Sequence, residues 1–169
     1  MKRLFAVMLC AAALVTAQGP RRAPSFCLPD ASLQFRDLLD YRGKVVVLEF
    51  MKTDCPHCAA FADTLKLVQE KYAGKVQVLA AANTNQDNPK TVQMYMTGHK
   101  VNYPVMFDMG QVAFSYIRHP NMDLPHVYVI DANGYIAGDY GYDLTTRDVF
   151  EGRALLTKLD SMLGGGAKQ

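Results

Sequence analysis

The segment KVVVLEFMKTDCPHC, residues 44–58, decides the fold. Its first half, residues 44–51, is an apolar, largely β-branched run broken only by Glu49. Such a run predicts a strand buried on both faces, because a half-exposed strand would alternate. Its second half opens a helix. Over residues 56–72, Phe61, Leu65, Val68 and Tyr72 recur at helical spacing. Pro56 stands in the first turn, where a missing N–H is no loss, and Gly74 ends the pattern. Cys55 and Cys58 therefore sit where a buried strand runs into a helix N-terminus.

Working outward, strands and helices alternate. Residues 76–82 form the next expected strand, residues 83–88 a polar loop, and residues 90–99 a short helix. That helix carries Val92, Tyr95 and Met96 on one face and should end at Gly98. Residues 104–107 read as a strand and residues 111–117 as a helix. Residues 127–131 and 135–140 flank Ala132-Asn133-Gly134, a strong hairpin signal. Residues 145–163 read as one amphipathic helix carrying Val149, Leu155, Leu156, Leu159 and Leu163. Residues 33–39 add a small N-terminal strand or hairpin. The sum is an α/β fold: a central mixed β-sheet, parallel on one side and antiparallel on the other, flanked by helices. A helical insertion separates the central strand–helix units.

The chain has 169 residues, enough for one domain with a proper core. Lys and Arg number 18 against 16 Asp and Glu, a balance that gives no footprint for nucleic acid. Met1-Lys2-Arg3 followed by a short apolar run and Val15-Thr16-Ala17 has the layout of a secretory signal, and the run is too short to span a bilayer. The division expected is a signal peptide at residues 1–17, a leader at 18–25, one domain at 26–163 and a flexible tail at 164–169. Export implies a periplasmic or otherwise extracytoplasmic location. Cys10 follows bulky Leu9 and lies too early for a lipoprotein signal, and Arg21-Arg22 follows the apolar run, so it is no twin-arginine signal.

Loss of Cys10 with the signal would leave Cys27, Cys55 and Cys58. One close pair and a single is not a disulfide scaffold. Zinc would require about four ligands, and neither a second cysteine pair nor a spaced histidine pair exists, since His99, His119 and His126 are isolated. No metal and no cofactor is expected. A purely structural bridge across so short a loop constrains the unfolded chain little. Redox exchange remains. Cys55, just before the first helical turn, would be the exposed nucleophile, its thiolate stabilised by free N–H groups and the helix dipole. Cys58, three residues on and better buried, would resolve the mixed disulfide. Pro56 fixes the turn. His57 adds a donor and, when protonated, a positive charge beside the sulfur, which favours the dithiol and makes the disulfide oxidising.

These residues carry a resemblance. Residues 43–58 look like the active-site strand and helix of thioredoxin-fold proteins, with the Pro-His dipeptide typical of DsbA-type oxidases. The rest is similar to the TlpA/ResA group of the AhpC/TSA superfamily: APSFCLPD (23–30), LLDYRGK (38–44), YPVMFD (103–108) and LPHVYVIDANG (124–134) match its series in order. The likeness runs over residues 24–163 and implies a thioredoxin fold. It also implies that Pro125 is a cis-proline facing the cysteine pair and that Leu124 touches the sulfurs. Glu49, six residues before Cys55, stands where the family places a buried acid. Facing inward it should have a raised pKa and accept the Cys58 proton through water; the alternative is a glutamate tipped to a sheet edge.

Some positions depart from the pattern. Asp54 stands where relatives commonly carry Trp, and the chain has no Trp. Its charge opposes a thiolate at Cys55, with Lys52 as a compensating cation. Cys27 reads as a small buried apolar residue. His99 and His119 read as solvated, and His126 as a surface residue next to Pro125. The function implied is an exported protein thiol–disulfide oxidoreductase acting on protein cysteines. As an oxidase it would donate its disulfide; as a reductase it would be kept reduced by a membrane redox partner. A copper-delivery module using the same thiolates is the alternative from another class. A peroxiredoxin-like peroxidase is disfavoured by Leu48 and Lys52 where its motif requires Pro and Thr.

Overall fold

The computed structural model describes residues 19–83, 86–119 and 122–164. The expected signal with Cys10, residue 18 of the leader and residues 165–169 of the tail lie outside them. The apolar run after Lys44 forms β3 (Val45–Met51), buried along its whole length. It is the middle strand of a five-stranded sheet with β4 (Val76–Ala82), β5 (Val105–Phe107), β6 (His126–Ile130) and β7 (Ile136–Gly141), in the order β5-β4-β3-β6-β7. β3, β4 and β5 run parallel, while β6 and β7 add antiparallel. The continuous hydrophobicity of β3 is explained by this place: its alternate residues feed two separate cores. Val45, Val47 and Met51 join the core beneath α1 (Pro56–Lys71), whereas Val46, Leu48 and Phe50 join Tyr116 and Tyr128 on the opposite face.

α1 begins at the Cys-Pro junction and buries Cys58, Phe61, Ala62, Leu65 and Val68. Gly74, at φ 81, reverses the chain into β4. The insertion comprises α2 (Pro89–His99), β5 and α3 (Gln111–Ile117). α2 starts with an Asn88–Thr91 capping box. It continues through Gly98 and ends at Lys100, whose left-handed φ of 52 makes the C-cap expected of the glycine. At the N-terminus β1 (Cys27–Pro29) pairs with β2 (Phe35–Asp37), followed by a 3-10 turn at Leu38–Tyr41. The hairpin thus starts upstream of residues 33–39, which supply only its second arm. The leader is docked: Ala23 N–H donates to the Gly134 carbonyl at 2.9 Å, and Ile136 N–H to that of Arg21 at 2.7 Å.

The expected C-terminal helix is two helices, α4 (Arg147–Phe150) and α5 (Arg153–Gly164). The break is Gly152, at φ 94, and it lets Phe150 turn edge-on to Phe61 of α1, 4.9 Å between centroids. A Cβ at Gly152 would stand 3.1 Å from Thr64 Cγ2 in a backbone conformation hostile to L-residues. Gly152→Ala is expected to destabilise the fold by about 1–2 kcal/mol. Urea unfolding checks this; an unchanged midpoint would refute it.

Candidate active site

Cys55 is the N-cap of α1, and its sulfur accepts the Cys58 backbone N–H at 3.2 Å. A helix start is where free N–H groups gather, so negative charge on this sulfur is held by a real donor as well as by the dipole. Cys55 is half-buried, Cys58 is fully buried, and both are free thiols. Burial pushes the Cys58 thiol well above its ordinary range, and the Glu49 carboxylate pushes it further. Cys58 is a poor nucleophile until its proton has somewhere to go. The Tyr95 hydroxyl donates to the Cys58 carbonyl at 3.1 Å and anchors this turn from α2.

Glu49 lies on β3 between Ala80 of β4 and Val127 of β6. It has no exposed surface, and neither carboxylate oxygen has a hydrogen-bond partner among the described residues. Burial drives its pKa well above the ordinary value. An inward carboxylate is therefore what the fold provides, and the edge alternative falls away.

The Leu124–Pro125 peptide is cis, and the Leu124 carbonyl lies 4.0 Å from Cys55 Sγ. β3 and β6 are directly paired, so the Cys55 turn and the Pro125 loop emerge side by side. Between them opens a groove lined by Lys52, Asp54, Cys55, Met122, Asp123, Leu124 and Tyr142. Lys52 and Asp54 are both exposed and line this groove together with Cys55. His57 is exposed except where its ring stacks on Tyr142, at 4.2 Å and 23°.

Two expectations are overturned. Cys27 is exposed, because Phe26 is the residue that turns into the core and Cys27 faces outward on a short hairpin strand. His126 is buried: Nε2 pairs with Asp139 Oδ1 at 2.7 Å, and the ring stacks on Tyr128. Cross-strand pairing thus gives a polar ring a place inside β6. His99 is half-buried against the Tyr95 ring, and His119 is exposed. Sequence reasoning missed Tyr142 and Tyr95. Neither stands in a local motif, and each reaches the cysteine turn from a distant element.

A family comparison settles where the chain belongs, since the model of the AhpC/TSA family matches residues 20–138. The chain belongs to the AhpC/TSA family. Within it the chain groups with the ResA-like, thioredoxin-fold thiol–disulfide oxidoreductases. It is 30% identical to the thiol-disulfide oxidoreductase ResA of Geobacillus thermodenitrificans over 132 residues, 75% of this chain and 71% of that one. It is 26% identical to the thioredoxin-like protein YneN of Bacillus subtilis over 136 residues, covering 80% and 78% respectively. Among solved structures, a secreted disulfide oxidoreductase of Mycobacterium tuberculosis shares the fold at a TM-score of 0.63 and 19% identity, over 77% of this chain and 95% of that one.

Proposed function

We propose that this family member works outside the cytoplasm, exchanging a Cys55–Cys58 disulfide or dithiol with cysteines of other proteins. The observation that carries the proposal is the hydrogen bond from Cys58 N–H to Cys55 Sγ above a fully buried Cys58, at the mouth of a groove. In the reducing direction, the Cys55 thiolate attacks a substrate disulfide. One substrate sulfur leaves as a thiolate and takes up a proton, and a mixed disulfide remains. When Glu49 is ionised, Cys58 gives it a proton through water and attacks Cys55 Sγ, closing the Cys55–Cys58 disulfide; the second substrate sulfur leaves as a thiolate and takes up a proton. The oxidising direction runs the same steps in reverse. Leu124 and Pro125 would hold the substrate backbone beside Cys55, and Pro56 and His57 would shape the turn. The basic, apolar and small-residue order of residues 1–17 supports export, which needs a redox partner at the membrane to reset the pair.

Equilibration of the pair against a glutathione series, read by alkylation and mass, tests the reading and its direction. The expected potential lies above the roughly −270 mV of thioredoxin, because His57 favours the dithiol. His57→Ala should lower it by on the order of 20 mV, corresponding to about 1 kcal/mol of lost charge stabilisation. A strongly reducing wild type, or no shift in the variant, would overturn this account of His57. Tight Cu(I) uptake at the pair without any exchange would make the protein a metal-delivery module instead.

A further inference from the structure

Tyr142 belongs to none of the segments that carry the exchange chemistry, yet it touches both. Its ring stacks on His57 in the first turn of α1, with centroids 4.2 Å apart and planes at 23°. Its backbone N–H donates to the carbonyl of Pro125 at 3.1 Å. The same side chain forms one wall of the groove in front of Cys55. Behind it the ring is held in place: Phe150 meets it edge-on at 5.2 Å, and Phe150 in turn meets Phe61 at 4.9 Å. His57 and Phe61 are four residues apart on α1 and so lie on one helix face. The rings therefore form a closed circuit that leaves α1 at Phe61 and returns to it at His57.

The chemistry at Cys55 depends on where the imidazole is. An exposed histidine in a first turn can swing among rotamers, and a donor or positive charge that wanders stabilises a thiolate less than one held beside it. An aromatic face accommodates both the neutral ring, by stacking, and the cation. We infer that Tyr142 is a positioning residue of the exchange centre: it fixes His57 beside Cys55 and thereby biases the cysteine pair toward the dithiol. The inference rests on the exchange reading proposed above and assigns it a further residue, from the far end of the chain.

The test is a double-mutant comparison in the full chain, using the glutathione equilibrium as the readout. Tyr142→Leu should make the pair more reducing, shifting its equilibrium constant about threefold to fivefold, within what an aromatic pair contributes and no more than loss of His57 itself. Tyr142→Phe keeps the stack and should stay within about twofold of wild type. In a His57→Ala background, Tyr142→Leu should shift the constant by less than about twofold, because the ring on which it acts is gone. Circular dichroism and thermal melting check that each variant folds. If Tyr142→Leu does not fold, Tyr142→Met takes its place with the same expected shift. A full shift in the His57→Ala background, or a Tyr142→Phe variant as altered as Tyr142→Leu, would overturn the inference. A wild-type potential in Tyr142→Leu would overturn it alone, while a wild-type protein that fails to equilibrate with glutathione would overturn the exchange reading as well.

Discussion

Cys55→Ser is expected to leave a folded protein that no longer exchanges disulfides, whereas Cys58→Ser should still attack and stop at the mixed disulfide. The asymmetry follows from the burial of the two sulfurs. Cys55 faces the groove and carries the hydrogen bond from the Cys58 N–H, so of the pair it is the one that meets an incoming disulfide. Cys58 has no exposed surface and can only react with a sulfur already delivered to Cys55. Loss of the nucleophile removes the covalent route altogether, an effect of at least about 10³-fold on turnover. Loss of the resolving thiol should preserve the first step and abolish the second. Mass spectrometry of a Cys27→Ser, Cys58→Ser variant, which lacks the exposed Cys27 thiol, should find one glutathione adduct after incubation with oxidised glutathione, on Cys55. An adduct on Cys55→Ser at residue 58, formed at the wild-type rate, would reverse the assignment.

Glu49→Gln is expected to do two opposite things: stabilise the fold and slow the chemistry. A fully buried carboxylate without a hydrogen-bond partner is tolerable as the neutral acid and costly as the anion. Its pKa is raised by burial, so between the ordinary value of 4.5 and the higher folded value the native state holds a proton that the unfolded chain has lost. Native stability must then fall as pH rises through that window, by up to about 1.4 kcal/mol per pH unit. Glu49→Gln cannot ionise and should remove this slope, gaining roughly 1–3 kcal/mol over wild type at neutral pH. Urea melts at two pH values on either side of the window measure the difference. The same substitution removes the ionised fraction of Glu49 that would accept the Cys58 proton, and resolution of a preformed mixed disulfide should slow by about 10²-fold, as for loss of a general base. A variant that is stabilised but resolves at the wild-type rate would leave Glu49 a buried charge with no part in proton transfer.

How far these features could be read in advance depended on whether their cause was local. The strand and helix around Cys55 were legible because one segment carries both the apolar run and the Pro-containing helix start. Pro125 and Glu49 were legible through the family likeness of their segments, and Glu49 also through its polarity within an apolar strand. Gly152 was not, because the amphipathic spacing of Val149, Leu156 and Leu163 continues across it and hides a break made by backbone conformation. His126 was misjudged because its burial depends on Asp139, a partner on β7. Cys27 was misjudged because a three-residue strand gives no alternation from which to tell its outward face. Tyr142 was invisible for a related reason: its neighbours His57 and Pro125 are close only after β7 has returned beside β6.

The direct pairing of β3 with β6 also bears on how the protein opens. The rungs from Val46–Ile130 to Phe50–His126 run up to the two turns that carry Cys55 and Pro125, in the middle of the sheet. Separating those turns would require unzipping central strands, with both hydrophobic cores exposed. Backbone amides of β3 and β6 should therefore exchange with solvent deuterium only through global unfolding, the slowest class in the molecule. The sulfur and the peptide-binding edge would then be set before any substrate arrives, and little ordering free energy would be lost on capture.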